Sequence, residues 1–119
     1  MRKHVLIADD HTAIRQAVKL VLRRTLDIND YHEAADGFEA VELAERTKPD
    51  LIILDVGMPQ MDGITAAQKL KKSMPQVPII LFTIYDVGPD RARQLGVDAV
   101  ISKAGAGTLS REVRSLLSC

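Results

Sequence analysis

Leu51-Ile52-Ile53-Leu54-Asp55 runs four apolar residues directly into a carboxylate. A short apolar run without polar alternation reads as a central parallel strand covered on both faces. A buried helix is the other reading of such a run, but Val56-Gly57-Met58-Pro59 follows at once and ends any helix. Asp55 therefore stands at the carboxyl end of a core strand. In open α/β sheets that edge is where ligands bind.

Outward from this stretch the pattern repeats. Residues 5–8 form a second apolar run that ends at Asp9-Asp10. Residues 79–82 form a third, ending at Thr83, and residues 99–102 a fourth, which delivers Lys103. Residues 31–34 are weakly apolar and suit a sheet edge. Between these runs the apolar residues recur at helical spacing. Ile14, Ala17, Val18, Val21 and Leu22 mark a first helix, with Arg15, Lys19, Arg23 and Arg24 elsewhere on the turn. Asp36 with Glu39 reads as the cap of a second, carrying Ala40, Leu43 and Ala44 inward and ending at Lys48-Pro49-Asp50. Asp62 caps a third that buries Ile64, Ala67 and Leu70. Gly88-Pro89-Asp90 opens a short fourth that stops at Leu95-Gly96. Thr108 is the expected cap of a fifth, with Leu109, Val113, Leu116 and Leu117 on its inner face. Five strands alternating with five helices predict one doubly wound α/β domain, a five-stranded parallel sheet with right-handed crossovers and helices on both faces.

Composition narrows the function. A chain of 119 residues holds one core. Lys+Arg and Asp+Glu are both 16, so there is no global basic field to attract nucleic acid. Aromatic residues are 3% with no Trp, which argues against base-stacking platforms. Cys119 is the sole cysteine, so no internal disulfide forms, and it reads as an exposed thiol of a protein in a reducing compartment. No apolar run approaches the roughly 18 residues of a membrane span. Residues 1–10 are charged, then apolar, but end in acids rather than a cleavage site. A cytoplasmic protein that does not enter a membrane is expected.

In a parallel sheet all strand carboxyl ends share one edge. Asp9-Asp10, Asp55, Thr83 and Lys103 thus converge on one cleft. Two unit charges about 4 Å apart repel by about 4 kcal/mol at an effective dielectric near 20. A hard divalent cation with oxygen ligands offsets that, and few carboxylates with retained waters suit Mg2+. A metal and a Lys aimed at one carboxylate point to charge stabilisation of a transferring phosphoryl group. Thr83 can donate to a phosphoryl oxygen. His11 beside the acids reads as a helix-start histidine rather than a ligand. His4 and His32 show no partner in sequence.

These motifs taken together, Asp9-Asp10, Leu54-Asp55 with Met58-Pro59 and Asp62-Gly63, Phe82-Thr83, Gly96-Val97-Asp98 and Ser102-Lys103, resemble the receiver domain of two-component response regulators. The match spans essentially residues 1–119 as a single receiver domain without its effector domain. Ala8-Asp9-Asp10-His11 with Arg15 further resembles the LuxR/NarL-type receivers. The resemblance implies the flavodoxin-like (βα)5 fold with strand order 2-1-3-4-5. It implies that Asp55 accepts a phosphoryl group from a histidine kinase or phosphotransfer protein. It implies that Asp10, Asp55 and the backbone carbonyl of Gly57 hold Mg2+, with Asp9 in support, and that Mn2+ can substitute. Lys103 would contact the phosphoryl group and Thr83 would move to bind it. Such a domain catalyses only its own phosphorylation and dephosphorylation, and works through an effector domain, commonly DNA-binding, or as a homodimer. Direct contact of this domain with nucleic acid is not expected.

The sequence departs from the family pattern at Val100, where an aromatic is usual, at Ile84, which is expected to crowd access to Asp55, and at Ala104, where Pro is common. The stretch from Thr83 to Lys103 is also about two residues short, which predicts an abbreviated fourth helix and an altered output. Three readings compete. A fixed interaction module would take no phosphate. An aspartate-nucleophile phosphatase would carry a second Asp where Gly57 stands. A flavodoxin-like cofactor binder would have a Ser/Thr/Gly-rich loop where Asp9-Asp10 would repel phosphate.

Overall fold

The computed structural model describes residues 2–117; Cys119, read above as an exposed thiol, lies outside the described residues. Strands and helices alternate throughout: β1 (His4–Ala8), α1 (Thr12–Leu26), β2 (Asp30–Ala34), α2 (Gly37–Thr47), β3 (Leu51–Leu54), α3 (Gly63–Ser73), β4 (Ile79–Thr83), α4 (Pro89–Leu95), β5 (Ala99–Ser102) and α5 (Ala106–Leu117). The strands lie in the order β2-β1-β3-β4-β5, all parallel. Fold class and strand order are those expected.

The two-residue period of a strand sends alternate side chains to opposite faces. Leu6, Ala8, Ile52, Leu54, Ile79 and Leu81 enter one core layer, under α2, α3 and α4. Val5, Ile7, Leu51, Ile53, Ile80 and Phe82 enter the other, under α1 and α5. Every residue of β3 is buried, which is why its sequence shows no alternation. Small side chains fill the helix side of the first layer. Ala40, Ala44, Ala66 and Ala67 are fully buried and let α2 and α3 sit close to the sheet.

Helix ends follow local chemistry. The Asp36 and Asp62 carboxylates accept from the amides of Glu39 and Thr65, both at 2.8 Å, and so fix the starts of α2 and α3. Glu39 returns to the Ala35 amide at 2.9 Å. Asp98 explains the Gly96-Val97-Asp98 motif. Its carboxylate accepts from the Ile79 amide at 2.8 Å and from Lys71 at 3.2 Å, which ties β5 to the start of β4.

Two expectations are corrected. Ala17 is exposed, and the inner face of α1 rests on Val18 and Leu22. The fifth helix begins at Ala106, so Thr108 lies inside its first turn; Thr108 and Leu109 both donate backbone hydrogen bonds to the Gly105 carbonyl. His4 and His32, whose partners sequence does not show, meet through their ring nitrogens at 3.1 Å, and Asp50 accepts from the His4 amide. The expected abbreviation of the fourth helix is observed, at seven residues.

Two glycines position the site. A Cβ at Gly63 would fall 1.9 Å from the Asp55 carbonyl oxygen, and one at Gly37 would fall 2.0 Å from the Met61 carbonyl oxygen. The starts of α3 and α2 thus press directly on the two ends of the loop after β3. Gly63→Ala forces backbone apart and is expected to cost about 2–3 kcal/mol in urea unfolding. Gly107→Ala, which meets only open space on a helix, should instead add up to about 1 kcal/mol.

Candidate functional site

The parallel register carries four strands to one edge, and backbone bonds continue it past the strand ends. The Asp9 amide donates to the Ala34 carbonyl at 3.0 Å, the Asp55 amide to Ala8 at 2.8 Å, and the Lys103 amide to Thr83 at 3.1 Å. Asp9, Asp55 and Thr83 are the buried polar residues among those described, exposed by 2%, 5% and 1%. Lys103 reaches in between the acids. Its Nζ is 2.6 Å from Asp9 Oδ2 and 3.4 Å from Asp55 Oδ1. The sequence-expected residues Asp9, Asp10, Asp55, Gly57, Thr83 and Lys103 therefore all lie at or beside one strand edge, as the topology requires.

The electrostatics follow from this crowding. Burial pushes the Lys103 ammonium down, but its hydrogen bond with Asp9 and the charges of Asp9 and Asp55 outweigh burial and hold it above its ordinary 10.5. Asp9 is satisfied on both oxygens, since Oδ1 accepts from the His11 amide at 2.9 Å. Asp55 is not. Its Oδ1 is buried without a hydrogen-bond partner among the described residues, and Lys103 stands at ion-pair distance without the alignment of a hydrogen bond. An orphaned carboxylate oxygen this deep costs free energy unless a cation or donor meets it.

Asp9, Asp10 and His11 form a group able to hold a metal ion, with one ligand atom each within 4.8 Å of the others. His11 takes the cap position of α1 without a side-chain capping bond, and its Nδ1 lies 3.2 Å from Asp9 and 3.1 Å from Asp10. Oxygen-rich donors beside the orphaned Asp55 oxygen suit a small hard dication.

Several contacts were not legible in sequence. Arg15 donates to the Asp9 backbone carbonyl at 2.6 Å and to Glu33 at 3.0 Å, and Lys19 reaches the same Glu33 at 3.0 Å. This network anchors the backbone that presents the first acid. Burial raises the Glu33 carboxyl, yet the bonds and charges of Lys19 and Arg15 prevail and hold it below its usual range. Ile84 was expected to crowd Asp55, but it is 75% exposed. Tyr85 is the residue that comes up against the loop instead, with Cε2 only 2.7 Å from where a Gly57 Cβ would sit. The signal for Tyr85 was weak: one aromatic two residues beyond a strand-end Thr.

Lys103 supplies stability that is complete below pH 10.5 and is lost as pH climbs through its higher folded value. Lys103→Met strands two buried carboxylates and is expected to lose about 3 kcal/mol at neutral pH. The alkaline step should vanish in that variant. Urea midpoints measured across pH for both proteins check this.

Comparison with known proteins places this arrangement. The family described as response regulator receiver domain matches residues 5–113. The uncharacterized transcriptional regulatory protein YhcZ of Bacillus subtilis is 42% identical over 81 residues, covering 68% of this chain and 38% of YhcZ. The response regulator protein VraR of Staphylococcus aureus is 40% identical over 101 residues, covering 83% of this chain and 48% of VraR. The chain thus spans less than half the length of these curated relatives. Among solved structures, the response regulator domain of Thermotoga maritima CheB superposes with a TM-score of 0.87 at 26% identity, covering 100% of this chain and 98% of that one. The signal receiver domain of a Syntrophus aciditrophicus histidine kinase gives 0.85 at 34% identity, covering 98% and 90%. With a family match over most of its length and the acids, Thr83 and Lys103 gathered at one sheet edge, this chain belongs to the response regulator receiver domains.

Proposed function

We propose that Asp55 is the phosphoacceptor of a two-component signalling switch of the LuxR/NarL type. The observation that carries this is the buried, unpartnered Oδ1 of Asp55 beside Lys103. A carboxylate held dry and short of one partner is poised to gain from a new bond at that oxygen. The donor is a histidine kinase or phosphotransfer protein. An Asp55 oxygen attacks phosphorus, the bond from phosphorus to the donor imidazole nitrogen breaks, and that nitrogen takes up a proton. Lys103 neutralises charge on the transferred group. Thr83, buried at the end of β4, turns its hydroxyl to a phosphoryl oxygen. Asp10, Asp55 and the Gly57 carbonyl would hold Mg2+ or Mn2+, with Asp9 in support and Lys103 offsetting the negative charge. That ion, when bound, neutralises developing charge on the phosphoryl oxygens.

The chain is read as one receiver domain working in the cytoplasm, where it serves only its own phosphorylation and dephosphorylation. Likeness to YhcZ, a transcriptional regulatory protein, supports an output on transcription through an effector domain elsewhere in a longer protein. Homodimerisation is a further route to output. Among the described residues no helix is long and apolar enough to cross a membrane.

Intact mass after incubation with acetyl phosphate and Mg2+ tests the assignment. The wild-type chain should gain one phosphoryl group, and Asp55→Asn should gain none. An adduct that persists in Asp55→Asn would move the acceptor elsewhere. No adduct in a folded wild-type chain would favour a fixed interaction module.

A further inference from the structure

The amino edge of the sheet, at the far end of the strands from Asp55, carries a second cluster of ligating side chains. His4 opens β1, Asp30 opens β2 and Asp50 immediately precedes β3. His4 and Asp30 are register partners, and Asp50 comes beside His4 because Val5 pairs with Leu51. His32 follows Asp30 by two residues and so stands on the same face of the sheet. We propose that His4 and His32 bind a transition-metal dication, Zn2+ by its donor preference, with Asp30 as a third ligand and Asp50 as the carboxylate that orients His4.

The geometry begins with the two rings. His4 Nδ1 and His32 Nε2 are 3.1 Å apart, with the ring planes at 83°. At that distance one nitrogen donates and the other accepts. A zinc ion about 2.0–2.1 Å from each nitrogen would see them at an angle of roughly 100°, close to tetrahedral. Imidazole nitrogens select zinc, copper or nickel, whereas Mg2+ keeps to oxygen.

The carboxylates fill the other roles. Asp50 Oδ2 accepts from the His4 amide at 2.9 Å and lies 3.7 Å from His4 Nε2. A negative charge on that side favours the tautomer with its proton on Nε2, which leaves the Nδ1 lone pair facing His32. An outer carboxylate orients ligating histidines in this way. The ion takes the place of the hydrogen between the rings. His32 Nε2 gives up that proton, and water returns one to His32 Nδ1, so both rings stay neutral. Asp30 is held by Arg2, at 3.0 and 2.9 Å, but the Arg2 side chain is 83% exposed. An ion pair this wet contributes little, so the Asp30 carboxylate turns to a dication at small cost. Arg46 of α2 adds positive charge near His32, and Glu42 pairs with it at 3.8 Å. The His4 and Asp50 side chains are partly exposed, which lets an ion enter with a water as its fourth ligand. Such an ion ties the edge strand β2 to β1, roughly 15 Å along β1 from the acidic cleft.

Zinc titration of the untagged chain, by calorimetry and by nitrogen–proton correlation NMR of the imidazoles, tests this. The three histidines, His4, His11 and His32, are assigned from their Gln variants. Zn2+ should shift His4 Nδ1 and His32 Nε2 together, and His11→Gln should keep this binding at wild-type strength. His32→Gln should weaken it by more than about a hundredfold, and Asp50→Asn, which keeps an acceptor for the His4 amide, by about tenfold. Asp30→Asn should weaken it as well. Urea unfolding without zinc checks that each variant is folded. Zinc that shifts His11 alone has gone to the acidic cleft and overturns the proposal. So does affinity unchanged in folded His32→Gln or in Asp30→Asn. If His32→Gln does not fold, the wild-type signals decide: His4 and His32 resonances that stay still at saturating zinc overturn the assignment, and their joint shift upholds it.

Discussion

Two buried carboxylates share one ammonium. Lys103 stands 2.6 Å from Asp9 and 3.4 Å from Asp55, with both acids almost wholly removed from water. Burying these charges is costly, and the attraction offsets the cost only where the geometry is good. The fold supplies that geometry. Parallel strands in the order observed put the ends of β1, β3 and β5 on one edge, and the Arg15 contact with the Asp9 carbonyl fixes the first acid's backbone. What the arrangement does not do is satisfy Asp55 fully, and the proposed chemistry grows from that deficit.

The molecule is built unevenly around this point. On one side, α2 and α3 are capped by Asp36 and Asp62, packed through small side chains, and pressed by glycine contacts onto the loop after β3. On the other side, α4 is seven residues long, Ile84 and Tyr85 are exposed, and a cavity lies against Val100. Few buried contacts and short elements mark regions that open at low cost. The loop after β3 is clamped, and the segment after β4 beside it is loosely held.

The sequence disclosed most of the fold because burial on two faces leaves a plain mark. Leu51 to Leu54 carry no alternation, and four of the five strands end at or run straight into a polar residue, Asp9, Asp55, Thr83 or Lys103. The strand-end residues Asp9, Asp55, Thr83 and Lys103 were legible because topology alone gathers them. Contacts that depend on loop path were not legible. The start of α5 was misplaced because Thr108 has the chemistry of a cap, while the Gly105 carbonyl accepts the first bonds. Ile84 was taken for the obstructing residue, but the turn after β4 sends it to solvent and brings Tyr85 to Gly57. The His4–His32 pair and the Glu33 network join β2 to β1 and α1, and separate residues by 28, 18 and 14 positions. No local pattern encodes such pairs.

Asp9, Asp10 and Asp55 outnumber the single ammonium of Lys103, so the cleft is short of positive charge. The direct measurement is the urea midpoint of the wild-type chain with and without Mg2+, beside Asp10→Asn and Asp55→Asn. A ligand that binds only the folded state at a hundred times its dissociation constant adds about 2.7 kcal/mol. The account expects a gain of that order in wild type, with loss of most of it in both variants. A wild-type stability indifferent to Mg2+, or a gain that survives in both variants, would contradict it.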